Sequence, residues 1–219
     1  MEIFATFIDI VLHLDVHLAA LLVQYGAWVY LILFVIIFCE TGLVVTPFLP
    51  GDSLLFVVGA LAGTGGLEIE LIIPLLIGAA LFGDNVNYFV GRAVGSRVFQ
   101  WQQSRFFNKA AFDRTHAFYE RHGGKTIIIA RFLPLVRTFA PFVAGIARMT
   151  YTSYLTFCVL GAVLWVGSLC LAGYWFGNLP LIKENLTLMI LAIIMVSLLP
   201  LIIGYWRQRA AAKTPPPAS

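Results

Sequence analysis

The chain has 219 residues, 60% of them hydrophobic and 11% charged, with a formal net charge of +3. A soluble domain carries about 25% charged residues. This composition, with a mean hydropathy of +0.91, therefore excludes an ordinary soluble protein and indicates one integral membrane domain of a few helices.

The N-terminal segment, residues 1–24, lacks the basic start of a signal peptide. Its polar positions Asp9, His13 and His17 recur at i, i+4 and i+8. One polar stripe on an apolar helix predicts an amphipathic helix lying at the membrane interface. A first span is expected from Trp28 to Phe38, running on toward Val45 because a straight crossing needs about 20 residues.

Residues 43–66 are apolar but broken by Pro47, Pro50 and Gly51 and close on a glycine-rich turn. Irregular backbone at membrane depth is tolerated only where protein or a wet cavity covers it, so this stretch is expected to be a re-entrant hairpin. A second span follows from Leu71 to Val90, interrupted by Gly83, Asp84, Asn85 and Asn87. Residues 92–124 read as a cytoplasmic loop with a surface helix, capped by Asn108 and ended after His122 by Gly123.

Residues 125–147 repeat the broken design, with Pro134 and Pro141 interrupting an apolar run. A third span is expected from Tyr154 to Phe176 and a fourth from Leu186 to Trp206. The tail, residues 207–219, is polar and proline-rich and is expected to be disordered. The membrane domain is thus residues 1–206.

Lys and Arg are absent before Arg92, dense from Arg92 to Lys125, and return at Arg148, Arg207, Arg209 and Lys213. The positive-inside rule puts these segments and the C-terminus in the cytoplasm. The basic pattern reports topology and does not suggest nucleic-acid binding. The two hairpins would then enter the bilayer from opposite sides.

The halves echo each other. Phe48-Leu49-Pro50 matches Phe132-Leu133-Pro134, and Phe56 to Gly59 matches Phe142 to Gly145. Gly78 to Phe82 matches Gly161 to Trp165, and Tyr88 to Gly91 matches Tyr174 to Gly177. The expected fold is all-α and polytopic. It comprises inverted repeats, each a re-entrant hairpin followed by a transmembrane helix, as in transporters whose sites lie near the midplane.

The chemistry concentrates in the two broken segments. An ionised side chain at the bilayer centre costs about 2.5–3.5 kcal/mol even on insertion scales, so each needs a partner, water or a task. Glu40 and Asp52 would take up protons or a cation. The competing reading makes Glu40 an interfacial residue and Asp52 a helix cap beside Ser53. Arg131 and Arg137 would hold a phosphate or carboxylate with forked guanidiniums. The competing reading is snorkelling or simple pairing with Glu40 and Asp52. Asp84 and Asn87 share a helix face and either line the same cavity or knit helices together. Ser53 and Thr138 could add hydroxyls, while Pro50, Gly51 and Pro134 shape the hairpins. Cys39, Cys158 and Cys170 lie in apolar runs as packed thiols. His116 and His122 read as solvated, so neither a metal nor another cofactor is expected.

The run from Glu40 through Thr46, Pro47, Phe48, Leu49, Pro50, Gly51 and Asp52 resembles the first signature of the DedA family. So does Gly83-Asp84 with Asn87, Tyr88, Gly91 and Arg92. The stretch from Phe118 to Gly145, containing Arg131, Pro134, Arg137 and Pro141, resembles its second signature. The resemblance spans nearly the whole chain. It implies a bacterial inner-membrane protein that moves undecaprenyl phosphate or phospholipid between leaflets with help from the proton motive force. It also assigns Glu40 and Asp52 as embedded acids and Arg131 and Arg137 as essential arginines.

The expected function is therefore a flippase recycling undecaprenyl phosphate, its partners membrane lipid and protons, with a homo-oligomer open. Alternatives are a less selective phospholipid scramblase, a small-ion/proton antiporter, or a membrane assembly factor. An enzyme is not expected, because no serine–histidine constellation lies at membrane depth.

Overall fold

The computed structural model describes residues 14–43, 51–98, 124–177 and 179. The expected helix near 108–122, the fourth span, the tail, Pro47, Pro50, and Asp9 and His13 of the N-terminal stripe lie outside the described residues. Seven helices and no strands occur among those described: α1 (Leu14–Tyr25), α2 (Trp28–Gly42), α3 (Gly51–Gly63), α4 (Ile69–Val98), α5 (Lys125–Arg131), α6 (Pro134–Ile146) and α7 (Tyr151–Phe176).

Helices α4 and α7 are long and apolar enough to cross a bilayer. Helix α4 extends beyond the expected Leu71–Val90 at both ends and runs unbroken through Gly83, Asp84, Asn85 and Asn87. The segment from residue 92 therefore begins as helix and not as loop. The polar side chains do not break the helix because their partners lie within it or on neighbours. Asn85 Nδ2, for example, donates to the Leu81 carbonyl one turn back at 2.7 Å.

Helix α3, of 13 residues, and the α5–α6 pair, of 7 and 13, are too short to cross. Helix α6 starts after an extended Leu133, with Pro134 in its first turn, where a missing N–H costs nothing. Pro141, expected to interrupt the run, lies inside α6, which continues to Ile146. It has no N–H to give the Arg137 carbonyl one turn back, but the helix packs on both sides of that gap.

The outward faces are apolar as well as the inward ones. On α2, Val29, Leu33 and Ile37, spaced four apart, are buried, while Trp28, Leu31 and Val35 are exposed. Phe82, Phe89 and Val90 of α4 and Leu160, Val163, Leu164 and Trp175 of α7 also face outward. Apolar surface of this extent suits lipid as the solvent.

The halves are crossed. Helix α3 packs on α7, and α6 packs on α4, so each short helix lies on the long helix of the other half. Both crossings use the same device. A β-carbon at Gly59 would run into the Cys170 carbonyl, and one at Gly173 into the Phe56 carbonyl. In the other half, Gly145 abuts the Tyr88 carbonyl and Gly91 the Phe142 carbonyl. Gly91 and Gly95, and Gly173 and Gly177, thus form two small-xxx-small faces that let backbones touch. The contacts equate Gly91 with Gly173, one turn away from the Gly177 suggested by the local sequence match. Tyr88-Phe89-Val90-Gly91 and Tyr174-Trp175-Phe176-Gly177 look alike, but packing sets the register.

Gly59→Ala and Gly145→Ala should each cost about 1–3 kcal/mol, since the new methyl meets backbone that cannot yield. Gly78→Ala and Gly167→Ala, with open space around them, should cost nothing. Thermal unfolding in detergent reads the difference, and equal effects at all four positions would contradict the crossed packing.

Candidate functional site

The charged residues gather where the crossings meet. Arg137, in the second turn of α6, is shared by two acids from the first half. Its Nη1 donates to Asp52 Oδ1 at 2.6 Å, and its Nη2 donates to Glu40 Oε1. Glu40 closes α2 and is fully buried. Its carboxylate lies against Gly51, where a β-carbon would overlap it, so a side chain there would have to displace the Glu40 carboxylate. Asp52 sits in the first turn of α3, where a negative charge complements the helix dipole. Trp165 of α7 donates its indole N–H to the same Asp52 oxygen at 2.9 Å. Its ring lies 4.8 Å from the Arg137 guanidinium carbon, a cation–π distance. One guanidinium thus joins α2, α3, α6 and α7.

Arg131 departs from the competing reading in which it pairs with Glu40 or Asp52. It ends α5 and forms its ion pair with Asp84 of α4. The helix geometry explains this, because Asp84 faces α5 and α7 while Arg137 already occupies both other acids. Cys158 of α7 donates to Asp84 Oδ2 at 3.2 Å, and Arg131 Nη2 donates to the Cys158 sulfur at 3.4 Å. Tyr154 donates its hydroxyl to the Asp84 carbonyl at 2.8 Å and stacks on Tyr88 at 4.2 Å. Gly161 leaves room for the Arg131 side chain. Both arginines are over nine-tenths buried, so each guanidinium is enclosed by protein.

A cavity of about 10 Å³ lies between the two ion-pair groups, lined by Thr41, Asp84, Arg131, Arg137, Ala140 and Pro141, with Ile127 closing one side. That is room for about one water. Glu40 and Asp52 do not line it. Arg137 Nε is buried and has no hydrogen-bond partner among the described residues.

Asn87 knits helices. Its Nδ2 donates to the Thr138 carbonyl at 2.6 Å and to the Thr41 carbonyl at 3.4 Å. Ser53 is buried, its hydroxyl without a hydrogen-bond partner among the described residues, and it does not line the cavity. Thr138 contributes its carbonyl to the Asn87 bond. No disulfide occurs among the described residues, and Cys158 is a hydrogen-bonding member of the cluster as well as a packed residue. No group of side chains able to hold a metal occurs among the described residues. The roles of Trp165, Tyr154 and Cys158 did not emerge from sequence reasoning. The available signal was a tryptophan in mid-span, whose N–H needs an acceptor when buried.

The VTT domain matches residues 49–175. Protein DedA of Escherichia coli K12 is 54% identical over 214 residues, 97% of this chain and 98% of that protein. An uncharacterized membrane protein of Mycobacterium leprae is 47% identical over 181 residues, 82% of this chain and 81% of its own. Inner membrane protein YqjA of Escherichia coli K12 is 36% identical over 151 residues, 69% of each chain. No solved structure matches the chain.

Trp165→Phe keeps an aromatic ring but removes the donor to Asp52, and should lower stability by about 1.5–3 kcal/mol, the range for a hydrogen bond to a charged group. Trp175→Phe, on the exposed face, is the control and should change little. Denaturant or thermal unfolding in detergent checks both, and an unaffected Trp165→Phe would argue against the Asp52 bond.

Proposed function

The chain belongs to the VTT-domain family, the DedA family, and is a membrane protein; from that premise we propose that it carries a lipid phosphate across the bilayer. The observation that supports this reading is the pair of guanidiniums, Arg131 and Arg137, lining one buried cavity between helices of both halves. Arginine forks match phosphate oxygens, and in a low-dielectric site each such bond is strong. The apolar outer faces would leave a prenyl or acyl tail in lipid, so only the headgroup needs a polar path.

The lipid that fits best is undecaprenyl phosphate, a single-chain monoester whose small headgroup exposes its oxygens. Transport would run from the outer to the inner leaflet of the bacterial inner membrane, with proton movement along the proton motive force. Helix α3 and the α5–α6 pair would act as re-entrant elements entering from opposite sides, with the C-terminus cytoplasmic. Alternating exposure would come from rocking one crossed pair, α3 with α7, against the other, α6 with α4. The buried acids would neutralise the arginines between cycles.

The test is leaflet exchange of labelled undecaprenyl phosphate in vesicles containing the purified protein, with and without a proton gradient. Arg131→Ala and Arg137→Ala should each slow exchange at least tenfold, the equivalent of about 1.4 kcal/mol in the barrier, in protein that still elutes as a single species. Exchange undiminished in both variants would overturn the reading. Equal exchange of all phospholipid headgroups without a gradient would favour scrambling.

A further inference from the structure

Two sets of acids meet the two arginines, and they differ in one respect. Glu40 and Asp52 are held outside the cavity, Glu40 against the start of α3 and Asp52 by the Trp165 indole. Asp84 is the acid that lines the cavity together with both arginines. The cavity has a volume of about 10 Å³, which suits one water and is too small for a phosphate. An anion entering here must therefore open the space, and the side chain in its way at Arg131 is the Asp84 carboxylate. Arg137 offers a separate opportunity, since its buried Nε has no hydrogen-bond partner among the described residues.

The charge count points the same way. With every group ionised, the three acids Glu40, Asp52 and Asp84 exceed the two guanidiniums by one negative charge. A phosphate monoanion would double that deficit in a low-dielectric site, where uncompensated charge is costly. One proton taken up with the phosphate keeps the net charge unchanged.

We propose that Asp84 is the residue that takes up this proton, and that its protonation admits the phosphate. The proposal rests on the phosphate-carrying reading above. In the step, the Asp84–Arg131 ion pair opens and Asp84 Oδ2 binds a proton delivered by water. Arg131 Nη2–H then moves its hydrogen bond from that oxygen to a phosphate oxygen. Arg137 Nε–H donates to a second phosphate oxygen without leaving Glu40 or Asp52. On release, the phosphate departs and the proton leaves Asp84 to water, restoring the ion pair. Proton and phosphate occupy the site together, so the coupling is symport.

The groups facing Asp84 are Arg131 from α5, Arg137 from α6, and Cys158 and Tyr154 from α7. Tyr88, on the same helix, is stacked on Tyr154. Helix α2 presents Thr41, with Glu40 turned toward Arg137. The Cys158 thiol donates to the oxygen that would be protonated. Removing it would therefore alter the acid's hydrogen bonding without touching either arginine's charge.

The test uses the full-length protein in vesicles and farnesyl phosphate as probe. Binding is measured across a pH series, and infrared difference spectra are recorded as the probe binds. In the wild type, binding should weaken about tenfold per pH unit on the alkaline side, the slope for one coupled proton. It should also bring up the carbonyl stretch of a protonated carboxylic acid. Glu40→Gln should keep that band, whereas Asp84→Asn should lose it and bind with a flattened pH dependence. Should Asp84→Asn fail to fold, Cys158→Ala carries the test, because the band should shift when its thiol partner is gone. A band lost in Glu40→Gln, or unmoved in Cys158→Ala, overturns the assignment to Asp84. Binding with no such band overturns the proton step while leaving phosphate carriage standing, and absence of binding removes both.

Discussion

The guanidinium of Arg137 is the group on which the rest of the structure depends. It arrives on α6 from the second half of the chain and is shared between Glu40 on α2 and Asp52 on α3, with the Trp165 ring of α7 against it. A charge buried this deeply is tolerated only with its partners in place, since removing one partner of a buried pair costs about 3–5 kcal/mol. Four helices must therefore assemble together. The start of α3 is fitted to this pair, because the Glu40 carboxylate fills the space beside Gly51 that a side chain would take.

Around this centre the frame is symmetric and the chemistry is not. The glycine contacts at Gly59 and Gly173 repeat at Gly145 and Gly91, each seating a short helix on the long helix of the opposite half. Apolar packing drives little association between helices in lipid, so close backbone approach at small residues carries the crossings. The polar residues depart from the repeat. The acids come from α2, α3 and α4, and both arginines come from the α5–α6 segment. Two similar backbone units thereby place opposite charges face to face.

Much of this was legible in the sequence, and the reasons are physical. The long helices show as apolar runs, and the charges stand out because the membrane makes them expensive: Glu40, Asp52, Arg131 and Arg137 were all expected to meet, and Arg137 does meet both acids. The duplicated Phe56–Gly59 and Phe142–Gly145 signals correspond to real equivalent contacts. The pairing of Arg131 was not legible, because spacing along the chain does not say which acid a guanidinium will reach. Asp84 carries no local mark that separates a cavity acid from a helix-knitting one, and only packing distinguishes it from Asn87. Pro141 misled for a related reason, since a proline's local preference is overridden when neighbouring helices hold both flanks. Trp165 was hidden because tryptophan in an apolar run is ordinarily read as packing.

If the acids and guanidiniums of the two halves form one coupled unit inside the membrane domain, removing one partner should make loss of the other less costly. The direct measurement is a double-mutant cycle on unfolding free energy in detergent with Glu40→Gln, Arg137→Gln and the double variant. The expected interaction energy is about 1–3 kcal/mol, in the range for residues sharing one network. Additivity within about 0.5 kcal/mol, the behaviour of distant independent sites, would contradict the shared ion pair and the site built on it.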